Sequence, residues 1–165
     1  MAQVANATTS RLAGLLGSPT GLPFSLAAIA ERENLRLGEI TPEHVLSQSV
    51  APELAERTAG VQYPAIYVYC EKLTNELREK FRTFSGRAKL AVEARVTHDR
   101  LEELSRRLEL YVEAITEVLD AHRGDWGGGV FYAGGYEVTF GASKHGGKNF
   151  LQTAKVTFDV DVSIG

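Results

Sequence analysis

Cysteine occurs once in these 165 residues, at Cys70. A lone thiol excludes an internal disulfide and fits a reducing compartment, where burial in a strand is its expected fate rather than reactivity. No apolar run approaches the ~20 residues that span a bilayer, and residues 1–17 lack the basic start and apolar block of a secretory signal. The chain is therefore expected to stay in the cytoplasm where it is made, with no membrane partner. Strong charge is missing too, because a formal net charge of -3 leaves no basic footprint for clinging to nucleic acid. His44, His98, His122 and His145 share no metal-ligand spacing and Cys70 has no cysteine partner, so no metal is expected. Gly127-Gly128-Gly129 and Gly146-Gly147-Lys148 have the freedom of phosphate loops without their grammar, since Lys148 is followed by Asn149 and a strand instead of by Ser or Thr and a helix. Arg123-Gly124-Asp125 reads as a helix stop. No cofactor is expected, and the carboxylates that can be placed, among them Glu102, Glu109, Glu113, Asp159 and Asp161, fall on wet faces where solvation explains them.

What the chain does have is alternation. From Ala88 to Val96 every even position is apolar, while Lys89, Glu93, Arg95 and Thr97 are polar. The last stretch repeats this for longer, with Ala154, Val156, Phe158, Val160, Val162 and Ile164 on one side and Thr153, Lys155, Thr157, Asp159, Asp161 and Ser163 on the other. Such segments are strands with one wet face. The second spans roughly 40 Å at ~3.3 Å per residue, well beyond the usual five or six residues, and strands that outrun a small domain's core usually extend into something else. At 44% hydrophobic and 24% charged the chain can build one good core, with room for a small appendage.

The expected order is helices, strand, strand, long helix, strand, strand. This is an α+β fold, a mostly antiparallel sheet flanked by one long amphipathic helix, with a helical arm over residues 1–60 and the main domain over 61–165. In the arm, helices are expected at 10–16, 24–33 and 42–49, the last opened by Thr41 with Pro42 at its first position, and residues 17–23 form a loop. A first strand covers 65–70. Residues 71–84 read both as helix and as extended chain, with extended or irregular structure preferred, and Ser85-Gly86 turns into the strand 88–97. Asp99 is placed as N-cap, with Glu102 completing a capping box. Leu101, Leu104, Leu108, Tyr111, Ile115, Val118 and His122 then mark a helix over 99–122 whose apolar stripe is wide enough to lie across a sheet rather than form a coiled coil. After a loop at 125–129, Val130, Tyr132, Tyr136, Val138 and Phe140 share one strand face, softened at Gly134-Gly135. A glycine-rich loop over 141–149, expected to be mobile in a lone subunit, leads into the return strand 150–164.

Basic residues gather between Lys72 and Arg100, including Arg87 and Arg95, and Lys144, Lys148 and Lys155 add to them. Such a patch could face DNA phosphates or an acidic protein rim; because the helix and arm are acidic, contact between subunits of opposite local sign is the preferred reading. Trp126, Phe131 and Tyr132 beside the triple glycine suit interface anchors, with ordinary core packing as the alternative. His145, between Lys144 and Gly146-Gly147, sits in a setting that suggests recognition, with a solvated loop histidine as the ordinary alternative.

The phrases YPAIYVYC, GRAKLAVEARVTHDRLE and FYAGGYEVTFGASKHGGKNFLQTAKVTFDVDV, in this order of elements, resemble tail terminator and neck proteins of long-tailed bacteriophages. The resemblance covers about the last hundred residues and rests on overall pattern, with no catalytic signature. It implies a non-enzymatic, cofactor-free virion protein in the tail or neck, assembled in the host cytoplasm. Its small α/β subunit would form a homohexameric ring that caps the tail tube and meets the head–tail connector. DNA would pass through the lumen without specific binding, helped by the acidic total of six copies. Carried over, residues 88–97, 130–140 and 150–163 would build the sheet around the ring, and 99–122 would pack outside it. The interface with a neighbouring subunit or the tail tube would draw on Trp126, Phe131, Tyr132, Arg87 and Arg95, together with the hairpin residues Lys144, His145, Gly146, Gly147, Lys148 and Asn149. Two other readings stay open: a different neck, tail-completion or tail-tube subunit, and a small ligand-binding or catalytic α/β domain that uses the glycine-rich loops.

Overall fold

The computed structural model describes residues 2–48, 62–146 and 148–165. The fold is α+β: an N-terminal pair of helices, one long helix, and a curled, mostly antiparallel sheet. Helices α1 (Ala2–Gly17) and α2 (Leu22–Glu33) meet at a turn. Thr8 and Thr9 sit buried in α1 because their hydroxyls donate to the carbonyls of Val4, Ala5 and Asn6 one turn back. Asn34 ends α2 in the left-handed region, with its N–H bonded to carbonyls of the last turn. By length and composition alone the stretch Gln3–Glu33 could span a bilayer. A core helix passes the same test, and Val4, Leu12, Leu16, Leu22, Leu26 and Ile29 are buried in the same apolar cluster as the sheet.

The expected helix over 42–49 is not formed. Pro42–His44 makes a single 3-10 turn, in which Thr41 and the His44 ring exchange capping bonds, and the chain then extends as β1 (Val45–Leu46), parallel to the start of β2 (Ala65–Asn75). Residues 49–61, which include the end of that expectation and of the arm, lie outside the described residues.

Strand β2 runs past its expected end, so the ambiguous segment is extended as far as Asn75. Strand β3 (Phe84–His98) absorbs Ser85-Gly86, which was expected to turn. The reason is local: Gly86 faces Asn75 across the ladder, and a β-carbon there would collide with the Thr74 carbonyl, so this glycine permits a close strand approach. Strand β3 pairs along its whole length with β8 (Asn149–Ile164), from Phe84 opposite Ile164 to His98 opposite Phe150.

Between them, α3 (Leu101–Ala121) lies across the sheet. It begins one residue later than a cap at Asp99 requires. Arg100 occupies the cap position in extended conformation with no side-chain cap, and its N–H instead donates to His98 Nδ1 at 3.0 Å. The apolar stripe of α3 is wide because Leu110, Val112 and Leu119 are buried alongside Leu104, Leu108, Tyr111, Ile115 and Val118. One flank of the helix faces the sheet and the other faces α2, where Arg32 pairs with Glu113 at 2.8 Å. Each fully buried aliphatic side chain of this kind contributes roughly 1.5–3 kcal/mol.

The expected loop after α3 is strand β4 (Gly124–Gly127), turned by three left-handed glycines into β5 (Val130–Tyr132). The far edge of β8 is then shared by three short partners in succession: β5, β6 (Glu137–Phe140) and β7 (Lys144–Gly146). The path through the sheet is β1-β2-β3-β8-β5-β4, with β6 and β7 also on β8. The segment expected to be a mobile loop over 141–149 is thus largely a hairpin, with Lys144 opposite Leu151, His145 opposite Phe150 and Gly146 opposite Asn149. Gly147 lies outside the described residues.

Candidate subunit interface

Register sorts the residues of the sheet onto two faces. Ile66, Val68, Leu90, Val92, Val156 and Phe158 point at the helices and are buried. On the other face, acids and bases stand side by side across the ladders: Arg87 beside Asp161, Lys89 beside Asp159, and Glu93 beside Lys155. Cross-strand pairs of opposite charge stabilise a sheet on its wet face.

The basic cluster read from the sequence is therefore largely matched within its own subunit. Arg78 and Arg87 both bond Glu76, at 2.5 and 3.1 Å, and Arg78 also reaches Asp161 at 3.2 Å. Lys155 pairs with Glu71. Tyr69 donates to Glu93 at 2.5 Å, and Arg95 donates to the second oxygen of the same carboxylate at 2.7 Å while its guanidinium lies 4.0 Å over the Tyr67 ring. Burial, followed by the Glu93 hydrogen bond and charge, pushes the Tyr69 phenol far up from its ordinary range. Arg95 is only 2% exposed, so its assignment to an open interface is corrected: the guanidinium is a structural member of this network. A shallow cavity of about 260 Å³ lined by Lys72, Thr74, Arg87, Lys89 and Asp159 keeps a basic character on this face.

Two aromatic anchors are likewise core residues. Tyr132 is fully buried, and Trp126 is half-buried against it, with ring centroids 5.6 Å apart and both packed on Phe158. The Trp126 indole donates to the His122 carbonyl at 2.7 Å, closing the end of α3. Burial pushes the Tyr132 phenol up to about 12, and its hydroxyl donates to the Gly135 carbonyl. The packing reading wins for both, because α3 and β8 enclose them.

Phe131 is 47% exposed on the opposite face, beside Asp161. Arg87 is exposed near it, also opposite Asp161. Lys144, His145, Lys148 and Asn149 are exposed at the hairpin tip, where the His145 ring lies 5.1 Å from that of Phe150. The two groups stand at opposite ends of β8, eleven residues apart in register and so separated by roughly 36 Å. They do not form one site. The exposed Arg87–Phe131 end and the hairpin end are two separate surfaces of one subunit.

Two features were invisible in the sequence. The first is a pair of open sheet edges. Among the described residues, β1 covers only Ile66 and Tyr67 of β2, while β6 and β7 have no strand on their outer side. Val138 and Phe140 of β6 stand opposite the buried Val156 and Ala154, on the core face, yet are 36% and 51% exposed among the described residues. The second feature is the β2–β3 connection, residues 76–83, which presents Leu77 and Phe81 in left-handed backbone conformations with bare side chains.

Cys70 is partly buried and its thiol is pushed up by desolvation, which suppresses thiolate chemistry. Among the described residues no three His, Cys, Asp or Glu side chains gather as a metal site would need. No family model matches the chain, and no curated protein matches it.

Proposed function

We propose that this chain is a non-enzymatic virion assembly protein, a phage tail terminator whose copies form a homohexameric ring between tail tube and head–tail connector. The phage identity rests on the sequence resemblance over the last hundred residues. The observation that carries the assembly reading is the sheet, which among the described residues leaves open edges along β2 and along β6–β7 on opposite sides of the subunit, the latter flanked by the exposed Val138 and Phe140. Long exposed edges with apolar flanks invite pairing with another chain unless something covers them. Because the two edges differ, such contacts are head to tail, and a head-to-tail interface closes into a ring when its rotation divides a full turn. The matched charges of the wet face give DNA no continuous basic track, which suits a lumen that DNA traverses without sticking.

The test is the native mass of the purified protein, expected at six times 18.0 kDa, together with electron micrographs expected to show discrete rings. Added to polymerising tail tubes, the protein should cap them and fix their length. Indefinite tubes of the protein itself would instead favour a tube subunit. A monomer at every concentration would end the ring reading.

A further inference from the structure

The β2–β3 connection is a built finger, not a slack loop. Asn75 Oδ1 accepts the N–H groups of Leu77 and Ser85 at 3.2 and 3.1 Å, and its amide donates to the Thr83 carbonyl at 3.1 Å. Glu79 N–H donates to Ser85 Oγ at 2.9 Å, Ser163 Oγ donates to Glu79 at 2.8 Å, and Thr83 Oγ1 donates to the Ile164 carbonyl at 3.0 Å. Held this way, the finger presents Phe81 with its whole side chain in water, 100% exposed, and Leu77 at 67%. Both residues have positive φ, 65° and 49°, an unfavourable backbone for bulky residues that persists only where the surroundings impose it and that concentrates at functional positions.

An apolar groove of about 450 Å³ lies in the arm, lined among others by Pro19, Pro23, Leu26, Ala27, Ala30 and Ile40. It sits at the opposite end of β2 from the finger. Gly38 of its wall packs against Pro64, next to the first residue of β2, whereas the finger follows directly on Asn75, the last. Eleven residues of strand separate them by roughly 35 Å, so a subunit cannot seat its own finger in its own groove. The charges are complementary. Residues 76–83 carry three bases against two acids, with Lys80 and Arg82 flanking Phe81, while the stretch Glu31 to Glu43 around the groove carries four acids against two bases, with Glu39 in the lining itself.

We propose that Phe81 of one copy seats in the Pro19–Ile40 groove of the next, making the finger and groove a head-to-tail contact of the assembly alongside the sheet edges. This deepens the ring reading and rests on it for the identity of the occupant. The contact is asymmetric, knob on one surface and hole on another, as ring closure demands, and a buried aromatic in an apolar pocket is the usual form of an interface hot spot.

The experiment compares the native mass and self-association of the wild type, Phe81→Ala and Ala27→Trp, with thermal melting as the control for folding. Both positions are exposed in the subunit, so melting should be unchanged. Each variant is expected to weaken self-association about tenfold or more. An assembled wild type with undiminished Phe81→Ala overturns the finger contact and leaves the ring standing. Loss in Phe81→Ala with full assembly of Ala27→Trp overturns the pairing with the groove. A ladder of wild-type masses that collapses in both variants supports the contact and removes the closed ring. A wild type that is monomeric throughout overturns both.

Discussion

The two halves of the sheet's core face, one on β8 and one on β6, carry the same alternation and meet opposite fates. On β8, from Ala154 to Val162, the inward side chains lie beside β3 and under α3, and all are buried. Towards the hairpin the same core face continues through Val138 and Phe140 of β6, and there it opens to solvent. Periodicity therefore reports which residues share a face, and the reach of the helices decides whether that face is covered. The covered half supplies stability, and the open half leaves apolar side chains in water.

The sharpest way to break this comparison is to cut the covered half. Ile115→Ala on α3 should cost about 2–5 kcal/mol in denaturant unfolding, because Ile115 is wholly buried; a loss below about 1 kcal/mol would mean that the helix does not hold the sheet. Next in size, Gly129→Val should cost about 1–3 kcal/mol, since Gly129 has φ +83° and a β-carbon there would run into the Ser163 carbonyl. On the open half, Val138→Ser with Phe140→Ser should change subunit unfolding by only about 0.5 kcal/mol or less, yet lower self-association measured by sedimentation. Equal damage to folding and assembly would erase the distinction between the two halves.

The smallest effect concerns acid. The Arg78 hydrogen bond, with Arg87 assisting, holds the Glu76 carboxyl below its ordinary value. A carboxyl depressed in the folded state contributes stability above its unfolded pKa and loses it as pH falls through the folded value. Protection of the amides over residues 76–83, measured against their intrinsic exchange at each pH, should therefore fall as the pH drops through the acid range in which carboxylates protonate, while β3 and β8 stay protected. Uniform loss of protection along both strands would show that the finger is not an independently weakened element.

The long helix and the two long strands were legible because burial on one face imposes a period of 3.6 or 2 over many residues. Short elements were not. Apart from Trp126, β4 and β7 consist of glycine, charge and histidine, and form only because β5 and β8 supply ladder partners. Pro42 led correctly into a helical turn, but the pull of β2 on Val45 and Leu46 ended it. Among the expected interface residues, Tyr132 and Arg95 carried no mark of burial, because an aromatic next to glycines and an arginine in an alternating strand look the same in a core network as on a surface. Phe81 stood in a segment that fitted two periods at once, so its exposure was decided by backbone geometry that the residue pattern does not encode.

Arg11 of α1 donates to the Trp126 carbonyl of β4 at 3.2 Å, and its guanidinium lies against Gly127 and Gly128. Helix α1 also packs on β1 and β2, at the other margin of the sheet. One side chain thus links the helix that lies on one margin of the curled sheet to the strand at the other margin. Were subunits to join margin to margin, the angle from each to the next would follow from that curl.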